Sequence, residues 1–204
     1  MNTELNKNRL TLLMIAGIPV IIILASSWLW YYVASGRLDI VGALGTANQG
    51  ALLDPPLAFG ELGAVDAAGQ NAQLAGERPL WRILLPAADG CDEACRELLH
   101  YTRQIHTAMG KYRGRIERVM LASSPIDPAL VAEYPALNLL YTSPSGLDAL
   151  AGAPLVADAA AAETPAVPAY YLVDPAGWII LAYGADADGK DIMADLKFLL
   201  KNSN

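Results

Sequence analysis

The chain holds two cysteines, and they lie close together in Cys91-Asp92-Glu93-Ala94-Cys95. This run follows a short apolar stretch of buried-strand type, residues 80–86 (LWRILLP), and a four-residue loop, and it opens a helical pattern. A thiol at a helix start faces unpaired backbone N–H groups and the positive end of the helix dipole. Both favour thiolate, which makes Cys91 the expected nucleophile or soft-metal ligand. Cys95 follows one turn later on the same face. The pair could close a disulfide or hold Cu(I) through two sulfurs. Asp92 and Glu93 suit the dipole but repel a neighbouring thiolate and raise its pKa. The inert alternative is a disulfide that only pins the first helical turn. Closing so small a loop constrains the unfolded chain little, so redox or metal chemistry is the favoured reading.

The remaining titratable residues add less. His100 and His106 are the only histidines, and both fall on the helix after the cysteines. His100 is five residues past Cys95 and points away from the thiol face, so both read as exposed helix histidines. Arg103, Lys111, Arg113, Arg115 and Arg118 form a local basic cluster, either a solvated face or a dock for an acidic partner. The whole chain carries a net charge of −7, which argues against nucleic acid as a partner. The sequence has no glycine-rich phosphate loop, no His-Glu-x-x-His and no nucleophile elbow.

The elements that must position the thiols begin with an anchor. Residues 10–33 (LTLLMIAGIPVIIILASSWLWYYV) carry no charge. As a helix they would span about 36 Å, enough to cross a hydrocarbon core of about 30 Å. Lys7 and Arg9 precede the run, whereas Arg37 is alone for dozens of positions after it. This bias predicts a cytoplasmic tail over residues 1–9 and a domain outside, in the periplasm of a cell whose inner membrane holds the helix. A cleaved signal peptide is the rival reading, but the run is longer than an h-region of roughly 7–15 residues, and bulky aromatics occupy the cleavage zone. On that side of the membrane a disulfide is permitted.

Residues 34–58 read as a linker or an arm laid on the domain, and residues 59–204 as one α/β domain. Residues 59–66 and 70–74 suggest an opening hairpin. Strands are expected at 80–86, 116–122 and, at an edge, 137–141. Helices are expected at 92–110, 127–134, 143–150 and 191–200. Residues 170–173 and 178–183 form a hairpin around Asp174-Pro175-Ala176-Gly177. Residues 156–169 (VADAAAAETPAVPA) are a low-complexity loop.

This order of elements, with Glu61 to Leu74 (ELGAVDAAGQNAQL) ahead of the strand and the cysteine pair, resembles the thioredoxin-like proteins of the Sco/SenC and TlpA/ResA groups. The Cys91-x-x-x-Cys95 spacing looks like Sco/SenC; TlpA-like reductases have two residues between their cysteines. Val167-Pro168-Ala169-Tyr170-Tyr171-Leu172-Val173-Asp174 looks like the strand start shared by these folds. The resemblance implies a thioredoxin-like central mixed sheet flanked by helices, with Pro168 in cis facing the cysteines. It also implies a Cu(I) site on Cys91 and Cys95. The family's third ligand, a histidine, falls in this register at Ala166, and the sequence has no histidine after His106. Asn48-Gln49-Gly50 with Pro55-Pro56 resembles the arm that follows the anchor in short Sco-like proteins encoded with haem–copper oxidases. The implied function is assembly of the copper site of a terminal cytochrome oxidase, by Cu(I) delivery or by thiol reduction, with an oxidase subunit as partner. Two alternatives stay open. One is a thiol–disulfide oxidoreductase acting on other extracytoplasmic dithiols, and the other is a docking domain with a structural disulfide.

Overall fold

The computed structural model describes residues 2–35, 48–74, 76, 78–156 and 169–203. The chain forms two compact units, Met1–Leu44 and Gly45–Asn204. The first contains helix α1, Asn2–Ala34. Its apolar stretch Leu13–Val33 has 21 residues and a mean hydropathy of 2.1. At 1.5 Å per residue it is about 31 Å long, the thickness of a bilayer core.

The second unit is built on one seven-stranded mixed sheet in the order β4-β3-β2-β6-β7-β1-β5. Its strands are β1 Ala51–Ala58, β2 Trp81–Ala87, β3 Ile116–Ala122, β4 Leu137–Tyr141, β5 Leu155–Val156, β6 Tyr170–Val173 and β7 Trp178–Tyr183. The β2, β3 and β4 strands are parallel. The β6 strand joins β2 in the antiparallel sense and passes through the Asp174–Gly177 turn into β7. In that turn Asp174 Oδ1 accepts the Trp178 N–H at 2.8 Å, and Gly177 takes φ +90°, a conformation glycine adopts without steric cost.

Alternation along the strands divides the core in two. Ile83 and Leu85 of β2, with Ile116 and Met120 of β3, face α2 (Glu93–Ala108), α3 (Pro128–Glu133) and α5 (Gly189–Asn202). Leu84, Val119 and Leu121 face the opposite side. There they meet Phe59 and Leu62 of a 3-10 turn and Leu147 and Leu150 of α4 (Pro144–Ala151). Each of these four helices starts where a side-chain cap predicts: Asp92, Asp127, Ser143 and Asp188 each accept a first-turn N–H. The far end of α5 is closed by Arg115, whose guanidinium donates to Leu200 O at 2.9 Å and Ser203 O at 2.7 Å. It satisfies carbonyls that a helix end leaves orphaned.

Residues 51–58, expected as arm, form β1 between β7 and β5. A run containing Pro55 and Pro56 can join a sheet because its ladder breaks there. Leu52 pairs with Leu181 and Leu57 with Ile179, and Asp54-Pro55-Pro56 is exposed between them. The Asp54–Pro55 bond is cis. The expected opening hairpin is reduced to a single bridge, Val65 to Asn71, because Phe59 and Leu62 turn into the core and take the chain out of strand geometry.

Candidate functional site

The β2 strand leaves the sheet at the carboxyl end of its parallel section, the position where open α/β sheets place their sites. The loop there is held by the end of β3. The Ser123 N–H donates to Ala87 O at 3.0 Å, the Ser124 hydroxyl donates to Ala88 O at 3.2 Å, and the Gly90 N–H donates to Ser124 Oγ at 2.6 Å. Gly90 has φ +77°, which a residue with a Cβ rarely adopts. Neither Gly90 nor Ser124 is marked out by the motif, although polar residues closing a buried strand beside the cysteine loop are a readable signal.

Cys91 comes next and lies outside the helix. Asp92 is the cap, and its carboxylate accepts the Cys95 N–H at 2.9 Å. The two cysteines form a disulfide with Cα atoms 5.1 Å apart. The bridge joins the residue before the cap to the third helical residue, one position short of a hydrophobic staple. The expectation of a shared helical face is therefore corrected: Cys91 sits ahead of the first turn, and the bridge closes without unwinding it. Of the amides that a helix start would offer a thiolate, that of Cys95 is taken by the Asp92 carboxylate.

The two sulfurs differ in access. Cys95 belongs to a core residue set and is 9% exposed, whereas Cys91 is half-buried. Beside Cys95 opens a groove of about 600 Å³ with apolar walls that include Leu98, Leu147, Leu150 and Ala169. A second lobe of about 760 Å³ lies across the start of α2, and Leu98 and Ala185 line both. Tyr170 and Tyr171 stand in the two lobes, and burial pushes each phenol up to about 12, so both stay protonated at physiological pH. Pro168 and Ala166 lie outside the described residues.

His100 lines the second lobe, and His106 lines neither. His100 Nε2 lies 2.7 Å from the Gln104 side-chain amide at the surface. His106, expected to be exposed, is half-buried and bonds Ile116 O at 3.0 Å. Burial lowers its pKa, and the charges of Arg118 and Arg113 add to that. Of the basic cluster, Arg103, Lys111 and Arg113 are exposed, as in a solvated face, whereas Arg115 and Arg118 are not. Arg118 is 4% exposed, since its place in β3 between Ile116 and Met120 turns it towards α2, and it lies 5.9 Å from the Tyr134 ring centre. Arg115 is committed to the end of α5.

Among the described residues, no three His, Cys, Asp or Glu side chains converge as a metal site. The two sulfurs are bonded to each other.

Residues 81–203, more than half of the chain, match the family described as transmembrane-like, thioredoxin-like, C-terminal domain. The chain belongs to this family. Its α1 and the transmembrane-like description together are those of a single-pass membrane protein. The fold is also that of yeast Sco1, at a TM-score of 0.50 and 16% identity, covering 78% of this chain and 99% of that one. Arabidopsis thaliana ScoI with copper bound aligns at 0.48 and 17% identity over 72% and 96% of the two chains. The thioredoxin domain of a Bacteroides vulgatus thiol–disulfide oxidoreductase aligns at 0.45 and 15% identity over 71% and 99%. At these identities the likeness is one of fold. No curated protein matches the sequence. The Sco/SenC-like thioredoxin fold expected from the sequence is the fold observed.

Proposed function

We propose that this transmembrane-like, thioredoxin-like protein exchanges thiols and disulfides through Cys91 and Cys95 on the periplasmic side of the inner membrane. Its substrates are the cysteines of an exported protein, in the first instance the copper-site subunit of a terminal cytochrome oxidase. The observation that carries the reading is the asymmetric disulfide beside an apolar groove, with Cys95 buried in the groove's lining and Cys91 half-buried outside it. A substrate thiolate attacks Cys91 Sγ, the Cys91–Cys95 bond breaks, and Cys95 leaves as a thiolate. The second substrate thiol then attacks the mixed disulfide. The substrate departs oxidised, and its two thiol protons end, by way of solvent, on the reduced Cys91 and Cys95. Run in reverse, the same steps reduce a partner's disulfide before metal insertion, provided a membrane dithiol reductant restores the pair. By the Sco/SenC resemblance, Pro168 is assigned the role of the proline that faces the cysteine pair. Orientation rests on Lys7 and Arg9.

Cu(I) delivery is the weaker arm, because a third ligand would have to come from the partner. Full-length protein in detergent tests both arms. The Cys95→Ser variant is expected to trap a mixed disulfide at Cys91 with a disulfide-bonded peptide, the peptide's other sulfur leaving as a thiolate, whereas Cys91→Ser is not; trapping by neither variant contradicts the proposal. Stoichiometric Cu(I) binding to reduced protein that survives Cys91→Ser would remove the cysteines from any copper role.

A further inference from the structure

The lobe lined by Cys95 and the lobe that adjoins it through Leu98 and Ala185 concentrate negative charge. Asp89, Asp92 and Asp148 line the lobe that holds Cys95. Glu93, Glu97, Asp186 and Asp188 line the other. Seven of the chain's 21 acidic side chains therefore border these lobes, against one of its 14 Lys and Arg, Arg96. A third against a fourteenth means that the acidity is gathered at the redox site and is not spread evenly over an acidic surface. Arg96 is itself turned to the loop, its Nε donating to Cys91 O at 3.4 Å. The four carboxylates of the second lobe are exposed, and among the described residues the ion pair they make is Asp188 with Lys190 at 4.0 Å, at the surface.

We infer that the groove selects a cationic cysteine-bearing polypeptide segment: an apolar residue enters the lobe beside Cys95, and Lys or Arg flanking the cysteine lies over Glu93, Glu97 and Asp186. The inference rests on the exchange reading above and names its substrate class. The apolar walls supply the anchor, and a like-signed set of carboxylates around it raises the local concentration of cations and repels anions. Anionic low-molecular thiols such as glutathione are disfavoured by the same field, so the site is biased towards protein substrates. The carboxylates also raise the pKa of a nearby thiol, and a bound cation offsets this, so that docking favours the thiolate that must attack Cys91.

The test uses the oxidised full-length chain in neutral detergent and two synthetic dithiol peptides that differ only in flanking Arg or Glu. Rates of reduction of the Cys91–Cys95 disulfide are normalised to each peptide's rate with the uncharged 2-hydroxyethyl disulfide, which removes differences in intrinsic thiol reactivity. The Arg peptide is expected to react at least about tenfold faster at low ionic strength. The ratio should fall towards one in 0.5 M salt, where the Debye length is only a few ångströms, about 3–4 Å. The Glu97→Lys, Asp186→Lys double variant should invert the preference, a gain for the Glu peptide that an unfolded protein could not give. Glu133→Lys, on α3, should leave the preference as it is. Equal rates for the two peptides, or a preference that survives the double variant, overturn the inference and leave the exchange reading standing. No reduction by either peptide or by dithiothreitol overturns both.

Discussion

Asp92 and Asp195 both accept backbone N–H groups, yet one is exposed beside the disulfide and the other is 4% exposed beneath the arm. Asp92 takes a single N–H, that of Cys95. Asp195 takes the N–H groups of Gln49 at 2.9 Å and Gly50 at 3.0 Å and the hydroxyl of Tyr183 at 2.7 Å. Gly50 is required there: a Cβ would meet the Tyr183 ring at 2.6 Å. The Tyr183 phenol is driven far above its ordinary pKa, first by burial and then by Asp195. The same chemistry thus serves two ends. Buried and fully bonded, the carboxylate locks the chain segment that starts β1. Exposed and singly bonded, it caps a helix whose first turn must tolerate a bridge that opens and closes.

The largest effect that separates the two regions is chemical. Cys91→Ser should abolish disulfide exchange with dithiothreitol while leaving the thermal midpoint near that of the oxidised wild type. A midpoint collapse would instead make the bridge structural. Next comes the buried carboxylate. Asp195→Ala removes a charged acceptor from three donors and should cost about 3 kcal/mol, lowering the midpoint by roughly 6–12 °C. Exchange by the folded variant at 25 °C should be unaltered, and calorimetry with a parallel rate assay checks both halves. Gly50→Ala tests the same region sterically and should cost about 1–3 kcal/mol, as overpacking does.

A smaller contrast lies at the cap. Asp92→Asn keeps an acceptor for Cys95 N–H and should leave stability within about 0.5 kcal/mol, while Asp92→Ala costs about 1 kcal/mol. Both remove a negative charge beside the reduced thiols and should lower the Cys91 thiol pKa, read from thiolate absorbance against pH. The smallest effect concerns His106. Its pKa is lowered in the folded state from 6.5, so the unfolded chain takes up a proton that the folded one resists. Stability attributable to this residue is therefore intact above about pH 6.5 and is lost as pH falls below it. His106→Gln, which retains a donor for Ile116 O, should flatten the decline in midpoint between pH 7.5 and 5.5.

The contrast between the two carboxylates also shows what a sequence can disclose. The Asp92 cap, the cysteine spacing and the Asp127-Pro128 and Ser143-Pro144 helix starts are local signals, each within a few residues of its partner. The Asp195 lock joins residues 145 and 146 positions apart, and nothing near Asp195 announces Gly50. The β1 strand was hidden for a related reason. Two prolines read as a linker until β7 supplies the pairing on either side of them. A basic run conceals Arg118, because its neighbours in sequence, Arg113 and Arg115, lie outside the strand, while strand alternation places Arg118 with Ile116 and Met120. The acidic groove is likewise gathered from β2, α2, α4 and the loop before α5.

Equilibration of the full-length protein in dithiothreitol buffers of graded redox poise, followed by alkylation and mass analysis, tests the central claim most directly. The account predicts a reversible two-electron transition in which Cys91 and Cys95 are alkylated together, with the domain folded on both sides of it. A disulfide that resists reduction until the domain unfolds would contradict it.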